Sequence, residues 1–101
     1  MHRFERWRTA IQGATDEDAV GAVVRDYLKT IPESVIKALP YECRRAVKDP
    51  DIQSAAVAIL HCELAFDGDP DVAKILHEVA HTYAAASLRI ARLSKEPSPG
   101  E

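Results

Sequence analysis

One four-residue pattern occurs twice in the C-terminal half of the chain, twenty residues apart, and it constrains the fold more than any other feature. The two copies are Asp49-Pro50-Asp51-Ile52 and Asp69-Pro70-Asp71-Val72. Each supplies an aspartate cap, a proline at the first helical position and an acid in the first turn. Gly68 precedes the second copy and is well placed to end the first helix. We therefore predict an antiparallel helical hairpin with helices over about 50–66 and 70–95.

Helical periodicity extends over the rest of the chain, and no alternating strand pattern is visible. An apolar stripe marks a first helix and consists of Phe4, Trp7, Ile11 and Ala14. Thr15 is predicted to cap the second helix. The predicted helices before the hairpin cover about residues 3–13, 15–30 and 32–39, with a further helical turn over 41–48. We expect an all-α fold, a small bundle of four to five helices with the C-terminal hairpin as its core.

Length and composition set the class of protein. With 101 residues the chain has room for one hydrophobic core, so we predict a single helical domain over 1–95 and a flexible tail over 96–101. The net charge of -3 gives no general attraction to nucleic acid, and we expect no such partner. The longest apolar stretch, 55–60, is too short for a membrane span, and residues 1–8 lack the apolar region of a secretory signal. These features predict a cytoplasmic protein.

A small basic cluster beside Cys43 consists of Arg44, Arg45 and Lys48. No recognisable helix-turn-helix or set of aromatic platforms surrounds it, so we interpret it as a solvated face. Neighbouring arginines predict a lowered pKa for the Cys43 thiol. Cys62 lies in an apolar run and is predicted to be a reduced, buried thiol, since two cysteines are too few for a disulfide framework.

A five-residue motif, His77-Glu78-Val79-Ala80-His81, lies within the predicted last helix and has the spelling H-E-x-x-H. Residues four apart share a helix face, so both imidazoles could reach one metal ion. The motif resembles that of the zincin metallopeptidases, and the resemblance covers five of 101 residues. It implies His77 and His81 as zinc ligands and Glu78 as the general base.

The chain departs from the family's pattern at the third zinc ligand. Where the metzincin subtype has a histidine, this sequence has Ser87. The gluzincin subtype takes a later glutamate, but Glu96 lies roughly 22 Å beyond His81 along a straight helix. A different third ligand is His61, which the hairpin places at about the level of His77. If the rotations of the two helices agree, His61, His77 and His81 would cluster, either as a metal site without peptidase chemistry or as a satisfied polar patch.

Glu63 is a second polar residue in the predicted hairpin that needs an explanation. It shares a helix face with apolar residues, where a carboxylate requires a partner. Lys74 or a histidine could supply that partner.

Two functions follow from these patterns. The helix over 50–66 is apolar nearly all round, which is typical of a helix at the centre of a bundle or shared with a second subunit. We therefore expect a non-enzymatic interaction module without a cofactor, which docks a protein partner or forms a homodimer. The alternative is a metal-binding protein or zinc-dependent hydrolase that uses the motif over 77–81.

Overall fold

The computed structural model describes residues 3–95, with side chains from residue 5 onward. Within this range the protein is all-α, as predicted, and has six helices. They are α1 (Arg3–Gly13), α2 (Glu17–Lys29), α3 (Glu33–Ala38), α4 (Tyr41–Ala46), α5 (Ile52–Ala65) and α6 (Pro70–Lys95). The count exceeds the expected four to five because both short segments, α3 and α4, are helical. Phe4 as a core side chain and the predicted tail over 96–101 lie outside this description.

The C-terminal hairpin forms as predicted, but its two helices begin at different points of the repeated pattern. In both copies the first aspartate accepts a hydrogen bond from the backbone N–H of the second, Asp49 from Asp51 at 2.8 Å and Asp69 from Asp71 at 2.7 Å, and α6 begins at Pro70. In the first copy Asp51, and not Asp49, is the cap, because its carboxylate accepts from the backbone N–H groups of Gln53 and Ser54. Helix α5 therefore starts two residues after Pro50.

The turn of the hairpin brings the ring of Phe66 close to Gly68. Helix α5 ends at Ala65, and the ring of Phe66 folds over the turn. A Cβ atom added at Gly68 would lie 2.8 Å from the Cζ atom of Phe66, closer than real contacts allow. The glycine thus permits a close approach of this ring to the backbone and is not itself the cap of α5.

The cap of α2 differs from the prediction by one residue. Asp16, and not Thr15, occupies the cap position, and its side chain accepts from the backbone N–H of Ala19 at 2.7 Å. Both residues precede a run of acids that favours a helix start, so the pattern located the helix but not the capping side chain.

Helix α6 is the central element, and α1, α2, α3 and α5 all pack on it. Its buried side chains include Leu76, Val79, Tyr83 and Ile90. Arg89 donates from Nε and Nη2 to the carbonyl oxygen of Ala14, at 3.0 and 2.9 Å, which joins α6 to the end of α1.

Helix α5 lies at the edge of the bundle, between α4 and α6. On the outer face of α5, Val57 is 55% exposed and Leu64 is 84% exposed. The second apolar side of this helix is therefore not covered within the described chain. The apolar pattern of α5 therefore did not mean a central position. None of the described helices is long and apolar enough to cross a membrane.

Candidate metal centre

Three potential metal ligands meet on the outer side of the α5–α6 hairpin. They are Glu63 on α5 and His77 and His81 on α6, and one ligand atom from each lies within 4.8 Å of those of the other two. The two imidazole rings have centroids 4.1 Å apart and planes inclined by 55°. This was the one group of at least three such side chains found among the described residues.

The hairpin positions each of these side chains. His77 and His81 are one turn apart on α6 and therefore project from the same side of the helix. Glu63 lies in the last turn of α5, and its Oε2 atom contacts Nδ1 of His77. The expectation that this carboxylate takes a histidine as partner is confirmed. Glu63 is the more buried partner, with 23% of its side chain exposed against 64% for His77.

His61, the third predicted ligand, is not part of this group. It is exposed and lines a shallow depression with Glu42, Ala58 and Cys62, on the side of α5 that faces α4. The prediction did not account for the side of α5 from which the His61 side chain projects. Two residues along a helix are separated by about 200° of rotation, so when Glu63 faces α6, His61 faces away.

Glu78, the general base of the motif, also lies apart from the two histidines. Its Oε1 atom accepts a hydrogen bond from the hydroxyl of Tyr27 on α2 at 2.8 Å. One residue along α6 turns the side chain by about 100°, from the outer side of the hairpin towards α2. The hydroxyl of Thr82 donates to the backbone carbonyl of Glu78 at 2.8 Å, one turn further along this side. The motif's carboxylate thus joins two helices.

The sequence contained one signal for the contact between Tyr27 and Glu78, namely the position of Tyr27 on the apolar face of a helix. The residue lies on the apolar face of α2 and its side chain is fully buried. A buried phenol needs an acceptor for its hydroxyl proton, and a carboxylate is a strong one. Assigning Glu78 to Tyr27 nevertheless required knowing which face of α6 meets α2.

The chemistry of the three side chains suits a divalent transition-metal ion. Two imidazoles and one carboxylate are common ligands of zinc and of its first-row neighbours. Such a set leaves further coordination positions for water, which the exposure of both histidines allows. Glu63, His77 and His81 would hold the ion between two helices that already pack together.

The cysteines are poorly suited to act as ligands or nucleophiles. Burial, with a smaller effect of Cys62, raises the pKa of the Cys43 thiol to about 12, so the predicted lowering by arginines is wrong. Burial is also the main cause that raises the pKa of Cys62, which is half-buried and not fully buried as expected. Both thiols are free and protonated at neutral pH.

Comparison of the chain with protein-family models, with curated proteins and with solved structures gives no match. The function of this group of side chains therefore has to be inferred from its own geometry and chemistry. Its strongest feature is the convergence of three potential ligands from two helices.

Proposed function

We propose that this protein is a small metal-binding helical module that takes one divalent transition-metal ion, zinc foremost, at Glu63, His77 and His81. The observation that carries the proposal is that the three potential ligand atoms lie within 4.8 Å of one another. Zinc holds its nitrogen and oxygen ligands at about 2.0–2.2 Å, so two ligands of one ion lie at most about 4.4 Å apart, and small rotations of the exposed histidine side chains would bring the three atoms to one ion.

A bound ion would make use of an arrangement that is already present, in which two imidazoles with ring centroids 4.1 Å apart lie beside the carboxylate of Glu63. A metal ion binds both in their neutral form and also compensates the half-buried carboxylate of Glu63. Because its ligands come from both arms of the hairpin, the ion would also join α5 to α6 near the turn.

Binding, and not hydrolysis, is the chemistry that the surroundings favour. In the zincin pattern the glutamate beside the first histidine activates the metal-bound water. Here the equivalent Glu78 accepts a hydrogen bond from Tyr27 at 2.8 Å, in the contact between α6 and α2. A general base must reach the proton that it takes, and this carboxylate faces a different helix.

Calorimetric titration of zinc into tag-free protein tests the proposal. We expect saturable binding of one zinc per chain, weakened at least about tenfold in His81→Ala and Glu63→Gln, because each variant removes one ligand. His61→Ala is the matched control, since it removes an exposed histidine of the same helix pair, and it should bind zinc as the wild type does. Absence of saturable binding, or an equal loss in His61→Ala, would contradict the assignment.

A second candidate function is self-association through the outer face of α5. Val57 and Leu64 are exposed there, two turns apart, with half-buried Leu60 beside them. Glu63 is the only Asp, Glu, Lys or Arg residue in α5, so two copies of this face can pack without repulsion between like charges. The occupant that best fits this uncharged surface is therefore a second copy of the chain.

Light scattering over a range of concentrations separates this candidate from the metal-binding proposal. A dimer should form at high concentration in the presence of chelator and should be lost in Leu64→Lys, because a charge then enters an apolar contact. Leu88→Lys is the control, since Leu88 is 61% exposed on α6 beyond the level at which α5 begins. A monomer at every concentration would rule out self-association and leave the metal site unaffected.

A further inference from the structure

A groove of about 560 Å³ runs along the short helices α3 and α4, away from the ligands of the metal centre. Its volume is in the range of small-molecule sites in proteins. Four basic side chains line it, namely Lys37, Arg44, Arg45 and Lys48. The basic cluster that the sequence suggested to be a solvated face thus forms one wall of a concave surface.

The positive charge of this groove is largely uncompensated. Glu33 is the one acid in the lining, and its carboxylate pairs with Nζ of Lys37 at 3.6 Å. In the part of the chain that the structure describes, no carboxylate lies within the 4.0 Å ion-pair distance of Arg44, Arg45 or Lys48. Three cations on one concave surface attract an anion strongly.

Arg44 has an unsatisfied hydrogen-bond donor. Its Nε atom is buried and has no hydrogen-bond partner, while its guanidinium carbon lies 5.7 Å from the centre of the Tyr41 ring. An unpaired buried donor costs about 1–3 kcal/mol, so native structures nearly always provide an acceptor. The oxygen of an anionic ligand in the groove would be such an acceptor.

The remaining lining is apolar. Ile31 is 6% exposed, Ile36 packs against the core, and Tyr41 has 61% of its surface exposed at the rim. An aromatic ring left in solvent beside two isoleucines offers a surface for an apolar or aromatic body. A ligand that matches both parts of the groove therefore has an anionic head and an apolar body.

We infer that this groove binds a small phosphate monoester of an apolar or aromatic alcohol. A phosphate dianion matches three unpaired cations better than a singly charged carboxylate does, and arginine guanidinium groups bind phosphate oxygens in pairs. The phosphate contacts Arg44, Arg45 and Lys48, and the apolar body lies against Ile31, Ile36 and Tyr41. The site is independent of the proposed metal centre.

Calorimetry with three probes tests the ligand class, with a chelator present so that the metal centre takes no part. 1-Naphthyl phosphate should bind saturably, and 1-naphthoate and inorganic phosphate should each bind about tenfold more weakly. Comparing naphthyl phosphate with naphthoate tests the contribution of the phosphate group's second negative charge. Comparing naphthyl phosphate with inorganic phosphate tests the contribution of the aromatic body. No saturable binding of naphthyl phosphate, or naphthoate binding equally well, would overturn the inference.

Variants of the lining locate the site. Arg45→Gln and Lys48→Gln should each weaken naphthyl phosphate binding about tenfold, whereas Arg25→Gln on the exposed face of α2 should leave it unchanged. Tyr41→Ala should weaken the binding of naphthyl phosphate more than that of inorganic phosphate, because it removes the contact with the aromatic body as well as the ring beside Arg44. An equal loss in Arg25→Gln and Arg45→Gln would indicate non-specific attraction and overturn the site.

Discussion

His77 and Glu78 are neighbours in the sequence, yet they belong to two different regions of the molecule. His77 lies on the outer side of α6, where it contacts Glu63 of α5 and has 64% of its side chain exposed. Glu78 lies on the inner side and accepts a hydrogen bond from Tyr27 of α2. One step along a helix turns a side chain by about 100°, which is enough to assign adjacent residues to different packing partners.

The difference shows what a short motif can and cannot specify. The spacing of His77 and His81 ensures that they share a helix face. Whether a third ligand or a general base lies beside the two histidines depends on how the neighbouring helices pack. The motif itself does not specify that packing. Here α5 supplies the carboxylate of Glu63, and α2 takes the carboxylate of Glu78.

The largest expected effect comes from truncating the inner side of α6. Leu76 is fully buried, so Leu76→Ala should lower the free energy of unfolding by about 2–5 kcal/mol. His77→Ala, its exposed neighbour, should cost less than about 1 kcal/mol in metal-free protein. Urea unfolding measures both. Similar losses in the two variants would mean that the two sides of α6 do not differ as described.

The contact between Tyr27 and Glu78 should have an intermediate effect. Tyr27→Phe removes the hydroxyl and should lower the free energy of unfolding by about 1–2 kcal/mol, because a charge-assisted hydrogen bond is lost. Zinc affinity should stay within about twofold of the wild type, since the metal ligands face α5. A tenfold loss of zinc affinity in Tyr27→Phe would instead connect Glu78 to the metal centre.

More of the fold than of the candidate metal site could be predicted from the sequence. Apolar periodicity and the repeated start signals predicted the positions of the helices, since capping and helix propensity are local. The need of Glu63 for a partner was also predictable, because a carboxylate on an apolar face requires one, but the sequence left Lys74 and a histidine as alternatives. The choice of Glu63 over His61 as the residue facing α6 depended on the rotation of α5, which only tertiary packing fixes.

Alkaline pH should lower the free energy of unfolding by a smaller amount, through buried groups on the inner side of α6 and on α4. Burial raises the pKa of Tyr83 on the inner side, and burial also raises that of Cys43 from 9.0 to about 12. Above pH 9 the unfolded chain then releases protons that the native chain retains, so stability falls as pH rises, by on the order of 1 kcal/mol at pH 10.

Two variants check the origin of that alkaline loss. Tyr83→Phe and Cys43→Ala should each reduce the slope of stability against pH above 9, because each removes a group that titrates only after unfolding. His81→Ala, on the outer side, should leave the slope unchanged. Denaturant unfolding at a series of pH values gives the slope. An unaltered slope in both Tyr83→Phe and Cys43→Ala would refute the assignment of the alkaline loss to these two buried groups.

The central claim is that Glu63, His77 and His81 form a metal site that excludes His61 and Glu78. Nuclear magnetic resonance of the imidazole nitrogens during a zinc titration tests it most directly, because each histidine reports its own coordination. We expect the ring nitrogen signals of His77 and His81 to shift together and saturate at one zinc per chain, while those of His61 stay in place. Movement of His61 with either histidine, or unchanged signals from His77 and His81, would contradict the account.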